Sequence, residues 1–270
     1  MAKTKLRIFS YEPNPRIFKS TITARICDIP IEVRGAKPKE LKNWLWDFDA
    51  RPMNEDDLKD QKKHIQEAKA GYQGELYKTE AFLSAHPYGT VPAAFSPDGA
   101  IGVFESNSIM RAVARLDMSN SGLYGRDPYS ASRIDGFLDT ALLFAKESQV
   151  YLLALMAGDL NEKIYCDTQC ALTNWLSGIE SALTNNDFIC GDALTLADIC
   201  FCCELLLLQS EYQWIESITE IGGNLLSSTE IEDRFPRSLN HYKKLSERTD
   251  FAPDIKNHQA KIKSGQKIYD

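Results

Sequence analysis

Residues 88–109 read Tyr88-Gly89-Thr90-Val91-Pro92-Ala93-Ala94-Phe95-Ser96-Pro97-Asp98-Gly99-Ala100-Ile101-Gly102-Val103-Phe104-Glu105-Ser106-Asn107-Ser108-Ile109. Two short apolar runs flank the turn residues Ser96-Pro97-Asp98-Gly99, which predicts a β-hairpin. Ile109, Met110, Val113 and Leu116 follow at helical spacing, so the hairpin opens straight into a helix with Ser106 as its N-cap. A proline at a strand entrance gives no N–H to a sheet and belongs at an edge or a bend. A cis Val91-Pro92 bond turns the N–H and C=O of Val91 outward, where an extended peptide pairs with them as an added strand. At the helix mouth, free N–H groups and the helix dipole attract a carboxylate. Ser106 donates to that carboxylate, and Glu105 is a counter-charge for an ammonium. Val91, Pro92, Glu105 and Ser106 together are suited to gripping one end of a peptide.

Upstream, Lys5 to Tyr11 alternates polar and apolar residues and predicts a strand, which Glu12-Pro13-Asn14-Pro15 breaks. A helix is expected over 16–27 and a second strand over 29–33, a β-α-β unit that favours parallel strands. The stretch 36–77 is looser. Trp44-Leu45-Trp46-Asp47-Phe48 is aromatic, its tryptophans covering either the domain body or a neighbouring subunit, and 54–70 reads as a charged helix with Leu58, Ile65 and Ala68 as a thin apolar stripe. A helical turn over 79–85 precedes the hairpin. After the linker-like 117–128 no strand is expected, and 129–157, 162–183, 196–212 and 235–248 are apolar at helical period. The organisation is therefore α/β plus all-α: a first domain over 1–117 with an insertion at 36–77, and an all-helical domain over 128–270.

The chain has 270 residues, 31 Lys plus Arg against 38 Asp plus Glu, and a formal charge of -7. That balance, without a basic block, argues against nucleic acid as a partner. The most apolar run, 199–208, contains Glu204 and is about half the ~20 residues a membrane span needs. The N-terminus lacks an apolar signal core, and seven cysteines in irregular spacing do not form a disulfide framework, so a cytoplasmic protein is expected. All seven, including Cys166 and Cys170 four apart and the Cys200, Cys202, Cys203 cluster, read as core residues, and no metal site is expected. His86 reads as a loop histidine. Thr195-Leu196-Ala197-Asp198 reads as a variant capping box with a structural role.

Tyr88-Gly89-Thr90-Val91-Pro92-Ala93 with Phe104-Glu105-Ser106-Asn107-Ser108-Ile109 resembles the glutathione-binding signature of the glutathione transferase superfamily. Phe188-Ile189-Cys190-Gly191-Asp192 with Leu194-Thr195-Leu196-Ala197-Asp198-Ile199 is similar to its second signature. The resemblance implies a thioredoxin-like first domain (βαβ-ββα, mixed sheet), a C-terminal helical bundle, and glutathione as co-substrate. It also implies that Val91 pairs with the cysteinyl backbone, that Glu105 and Ser106 hold the γ-glutamyl end, and that the protein is a homodimer.

Chemistry on glutathione needs a thiolate, against a free thiol pKa of ~8.5, and a hydroxyl or amide donor near the start of the first helix supplies the stabilisation. The candidates, in order, are Tyr11, Asn14 and Ser10; Tyr11 also fits a core or turn position. Two departures from the family pattern stand out: Thr90 holds the place where many members carry a basic residue, and 36–77 is longer than the usual connection. Two functions fit. One is an enzyme conjugating glutathione, or reacting its thiolate, with a small apolar electrophile, for which Phe137, Ala141 and Phe144 are candidate pocket residues. The other is a non-catalytic interaction module, since Arg7-Ile8-Phe9-Ser10-Tyr11 and Arg16-Ile17-Phe18-Lys19 are similar to the transferase-like domain of the elongation factor 1 gamma family; a free-standing relative of it is the expectation. Disulfide reduction is disfavoured because no cysteine precedes Cys27.

Overall fold

The structure, a computed structural model, describes residues 4–60, 65–67, 74–119, 121–265 and 268–269. It divides into two compact units, Met1–Ser119 with Ile268–Asp270, and Asn120–Lys267.

In the first unit, β1 (Leu6–Tyr11) leads through Asn14 into α1 (Pro15–Ile26), and β2 (Ile31–Ala36) returns parallel to β1. The second strand runs later than the 29–33 read from sequence. Its Gly35 lies opposite Ser10, and a Cβ there would sit 1.9 Å from the Ser10 carbonyl oxygen, so the close approach of the two strands requires glycine. A 3₁₀ turn over Pro38–Asn43 and the short strands β3 (Trp44–Trp46) and β4 (Arg51–Pro52) come next. Then follow α2 (Glu55–Asp60), β5 (Ile65–Glu67), β6 (Glu75–Lys78) and α3 (Glu80–Ala85). The hairpin forms as expected from β7 (Ala93–Phe95) and β8 (Gly102–Phe104), and α4 (Ser106–Arg115) leaves it directly.

The main sheet has the order β2-β1-β7-β8 and the insertion makes a second sheet, β4-β3-β6-β5. Alternation along β1 sends successive side chains to opposite faces. Leu6 and Ile8 join Ile17, Ala24, Ile109 and Val113 under α1 and α4. Phe9 joins Leu41, Trp46, Leu76, Phe82 and Phe95 on the other face. The Trp46 ring meets Phe9 edge-on at 5.3 Å and its Nε1 donates to the Leu41 carbonyl. The tryptophans thus cover the body of their own domain. The charged helix expected over 54–70 is corrected: it ends at Asp60, and 65–67 is a strand antiparallel to β6. A thin apolar stripe buries too little to sustain a long helix, whereas a strand edge was available to pair. Ala68 lies outside the described residues, as does 61–64.

The second unit is helical: α5 (Pro128–Ala157), α6 (Glu162–Ala182), α7 (Leu196–Leu208), α8 (Ile215–Glu220), α9 (Thr229–Arg234), α10 (Pro236–Glu247) and α11 (Ala252–Lys263). The helix expected over 196–212 stops at Leu208 and continues as a 3₁₀ segment, Gln209–Trp214. Every residue of α7 is buried. The capping box exists, and Asp198 does more than cap: one carboxylate oxygen accepts from Thr195 N and Oγ1, the other from Ile189 N and His241 Nε2. No described helix is long and apolar enough to cross a membrane.

Candidate functional site

The register of the main sheet places the singled-out residues. Ala93 of β7 lies opposite both Phe9 of β1 and Phe104 of β8. The chain breaks at Glu12–Asn14, Val91–Pro92 and Glu105–Ser106 therefore all fall beyond the same end of the sheet, with Ser10 near the end of β1. The Val91–Pro92 bond is cis. Val91 and Pro92 are half-buried and precede the first paired residue of β7.

At α4 the N-cap is Glu105, not Ser106, which becomes the first helical residue. Glu105 is exposed and has φ of 67°, a left-handed conformation that a non-glycine residue rarely adopts. Such outliers concentrate at functional sites. Ser106 and Asn107 are buried behind it. Lys19 reaches across from α1 to meet them, its ammonium donating to Asn107 Oδ1 at 2.8 Å and to Ser106 Oγ at 3.3 Å. Lys19 is fully buried, so its bonds to Ser106 and Asn107 are made away from water at the N-terminus of α4. Its sequence signal was weak: only its i+3 and i+4 spacing from Ile22 and Thr23 marks it as inward-facing.

Of the thiol-activating candidates, the structure brings two together. Asn14 caps α1, its Oδ1 accepting from Arg16 N at 3.0 Å, and its Nδ2 donates to Ser10 Oγ at 3.0 Å. Both are buried on the α1 side of the sheet. Tyr11 is set apart on the other face with Phe9, half-buried, its ring edge-on to Tyr269 at 6.1 Å. Glu12 follows Tyr11 at the surface, where partial desolvation raises its carboxyl pKa.

Thr90 Oγ1 lies 3.3 Å from Nε2 of His86. His86 lies in the loop just past α3, as its C-cap, but is buried: it stacks on Phe104 at 4.9 Å, and burial beside the Lys78 cation lowers its pKa. Lys78 is buried over the Trp46 ring, and its Nζ lies 3.5 Å from where a Cβ on Gly89 would be. A basic group thus approaches the loop before Val91, supplied from β6 rather than from position 90. Gly89 itself has φ of +59° and leaves only 2.9 Å between that Cβ and Leu83.

In the second unit, Ala141 and Phe144 are core residues, Phe144 stacking on Trp175 at 4.5 Å, which removes both from the pocket candidates; Phe137 is half-buried. The cysteines divide. Cys27, Cys200, Cys202 and Cys203 are buried as expected, and desolvation pushes the half-buried Cys190 thiol up to about 11. Cys166 and Cys170 are exposed, against the core reading, because their shared face of α6 points to water.

A protein-family model described as Glutathione S-transferase, C-terminal domain, matches residues 141–212. "Probable elongation factor 1-gamma 1" of Arabidopsis thaliana is 33% identical over 136 residues, 50% of this chain and 32% of that protein. The chain's match thus spans about a third of the length of that relative. "Glutathione S-transferase-like protein FUS3" of Gibberella moniliformis is 28% identical over 198 residues, 71% of this chain and 72% of that protein. Among solved structures, a glutathione S-transferase of Methylobacillus flagellatus with GSH bound superposes with a TM-score of 0.62 at 13% identity, covering 92% of this chain and 98% of that one.

Proposed function

We propose that this chain, a member of the glutathione transferase superfamily similar to elongation factor 1-gamma, binds glutathione at the end of its main sheet and reacts the thiolate with a small apolar electrophile. The observation that supports this reading is the register, which sets Asn14, Val91, Pro92, Glu105 and Ser106 beyond one sheet end, next to Ser10 near the end of β1. Glutathione supplies a soft sulfur nucleophile. The donor set fits it: Val91 continues the ladder to the cysteinyl backbone, and Ser106 with the N-terminus of α4 takes the γ-glutamyl carboxylate. Exposed Glu105 faces the ammonium, and Lys78 supplies the cation that Thr90 lacks for the glycyl carboxylate. One amide hydrogen of Asn14 is held by Ser10, and the second donates to the sulfur, with the dipole of α1 favouring the thiolate. Asn14 thereby takes precedence over Tyr11 and Ser10.

The same proposal includes a homodimer in the cytoplasm, supported by the exposed apolar Leu143 and Val150 on α5 and by seven free thiols. Sedimentation as a monomer across the micromolar range contradicts the dimer.

Asn14→Asp tests the chemistry, because aspartate keeps the α1 cap but has no donor for sulfur. The pH–rate profile for conjugation of an activated chloronitroarene shifts upward by about one unit or more if Asn14 stabilises the thiolate, which corresponds to ~1.4 kcal/mol. An unmoved profile assigns activation elsewhere. The similarity to elongation factor 1-gamma favours a second reading, a non-catalytic interaction module. Glutathione binding without turnover of any electrophile supports that reading.

A further inference from the structure

Cys166 and Cys170 stand apart from the other five cysteines: both thiols are exposed, one turn apart on α6. Exposure is unusual for free cysteine, which packs as a small hydrophobe. The next residue on that face, Asn174, donates its side-chain amide to the Cys170 sulfur at 3.7 Å. Residues at i and i+4 hold their Cβ atoms about 5–6 Å apart. A disulfide needs about 3.5–4.5 Å, so the pair does not close on itself while the helix is intact. A single soft atom bonded to both sulfurs spans the gap. Zinc does not suit, since it takes four ligands and no group of three His, Cys, Asp or Glu among the described residues is placed to hold a metal.

We propose that Cys166 and Cys170 form a chelating dithiol for monosubstituted trivalent arsenicals, R–As(OH)2, a ligand complete with two protein sulfurs. Two As–S bonds form and two As–O bonds break. The two thiol protons leave with the hydroxyls as two waters, and no electron is transferred. The organic substituent projects into solvent, so an open helix surface suffices and no pocket is needed. The site is independent of the glutathione reading and lies wholly within the second unit.

The probe is phenylarsine oxide, added at one equivalent to the folded, reduced protein and read by intact-mass spectrometry. One adduct per chain is expected, equal in mass to the probe less one water, stable to millimolar glutathione and removed by dithiothreitol. Cys166→Ser and Cys170→Ser each lose the chelate, weakening retention by roughly 10²–10⁴-fold, the usual gain from joining two binding events. Both positions are exposed, so an unchanged circular dichroism spectrum verifies the fold. An adduct that survives in the double serine variant, that glutathione strips, or that never forms in the unaltered protein overturns the proposal.

Discussion

Both units bury polar side chains, but they use them differently. In the helical unit the buried carboxylates Asp198 and Glu211 spend their bonds on the protein itself. Asp198 joins the 189 and 195 backbone to His241, and Glu211 accepts from Tyr151, Leu226 N, Ser227 N and Ser227 Oγ. In the first unit, Ser10, Asn14, Lys19, Ser106 and Asn107 gather where two helices begin at one end of a sheet. The contrast separates two roles of a buried polar group. Saturated carboxylates tie loops to helices, whereas polar groups at helix mouths, under the proposed function, turn donors and dipoles toward a ligand.

Breaking the ties of the helical unit produces the largest change. Asp198→Ala leaves two backbone N–H groups and an imidazole without their acceptor, and ~3–5 kcal/mol of stability is lost in urea unfolding, with glutathione affinity of the folded fraction unchanged. Next is acid. Burial and the nearby Lys261 lower the His258 pKa to about 4 from 6.5. The unfolded chain then binds more protons than the folded one between pH 4 and 6.5, so this contribution is complete above 6.5 and is lost as pH falls toward 4. It amounts to ~3 kcal/mol at most. Glu211, whose carboxyl burial raises, works in the opposite sense, so the measurement is the melting-temperature difference between the protein and His258→Phe across that range. The difference moves in favour of the variant on acidification; a flat difference refutes the assignment.

Lys19→Met sharpens the contrast from the other side. It removes charge-assisted bonds to Ser106 and Asn107, and ~1–3 kcal/mol of stability is lost. Unlike Asp198→Ala, it also weakens glutathione binding, because the cation behind the α4 mouth is gone. Equal affinity in the folded variant would place Lys19 among the purely structural groups.

The long helices of the second unit were legible because ten or more residues repeat an apolar face, and the β-α-β and hairpin units because turn residues punctuate alternating runs. The second sheet was not. Its strands, from Arg51–Pro52 to Glu75–Lys78, are two to four residues long, too short for alternation to register. Of the candidate site, Val91–Pro92 and Glu105–Ser106 could be read from order and spacing. Lys19 and Lys78 could not, since lysine in a polar-looking segment signals water unless a long-range partner is known. The exposure of Cys166 and Cys170 depends on how α6 is rotated in its bundle, which residue type alone does not determine.

The central claim is that the main-sheet end holds the tripeptide thiol through the mouth of α4. Isothermal titration of glutathione into the protein and into Ser106→Ala tests it most directly. One saturable site per chain is predicted, weakened at least ~10-fold by the loss of a hydrogen bond to a charged group, worth ~1.5–3 kcal/mol. Absence of saturable heat, or equal affinity in the two proteins, would contradict it.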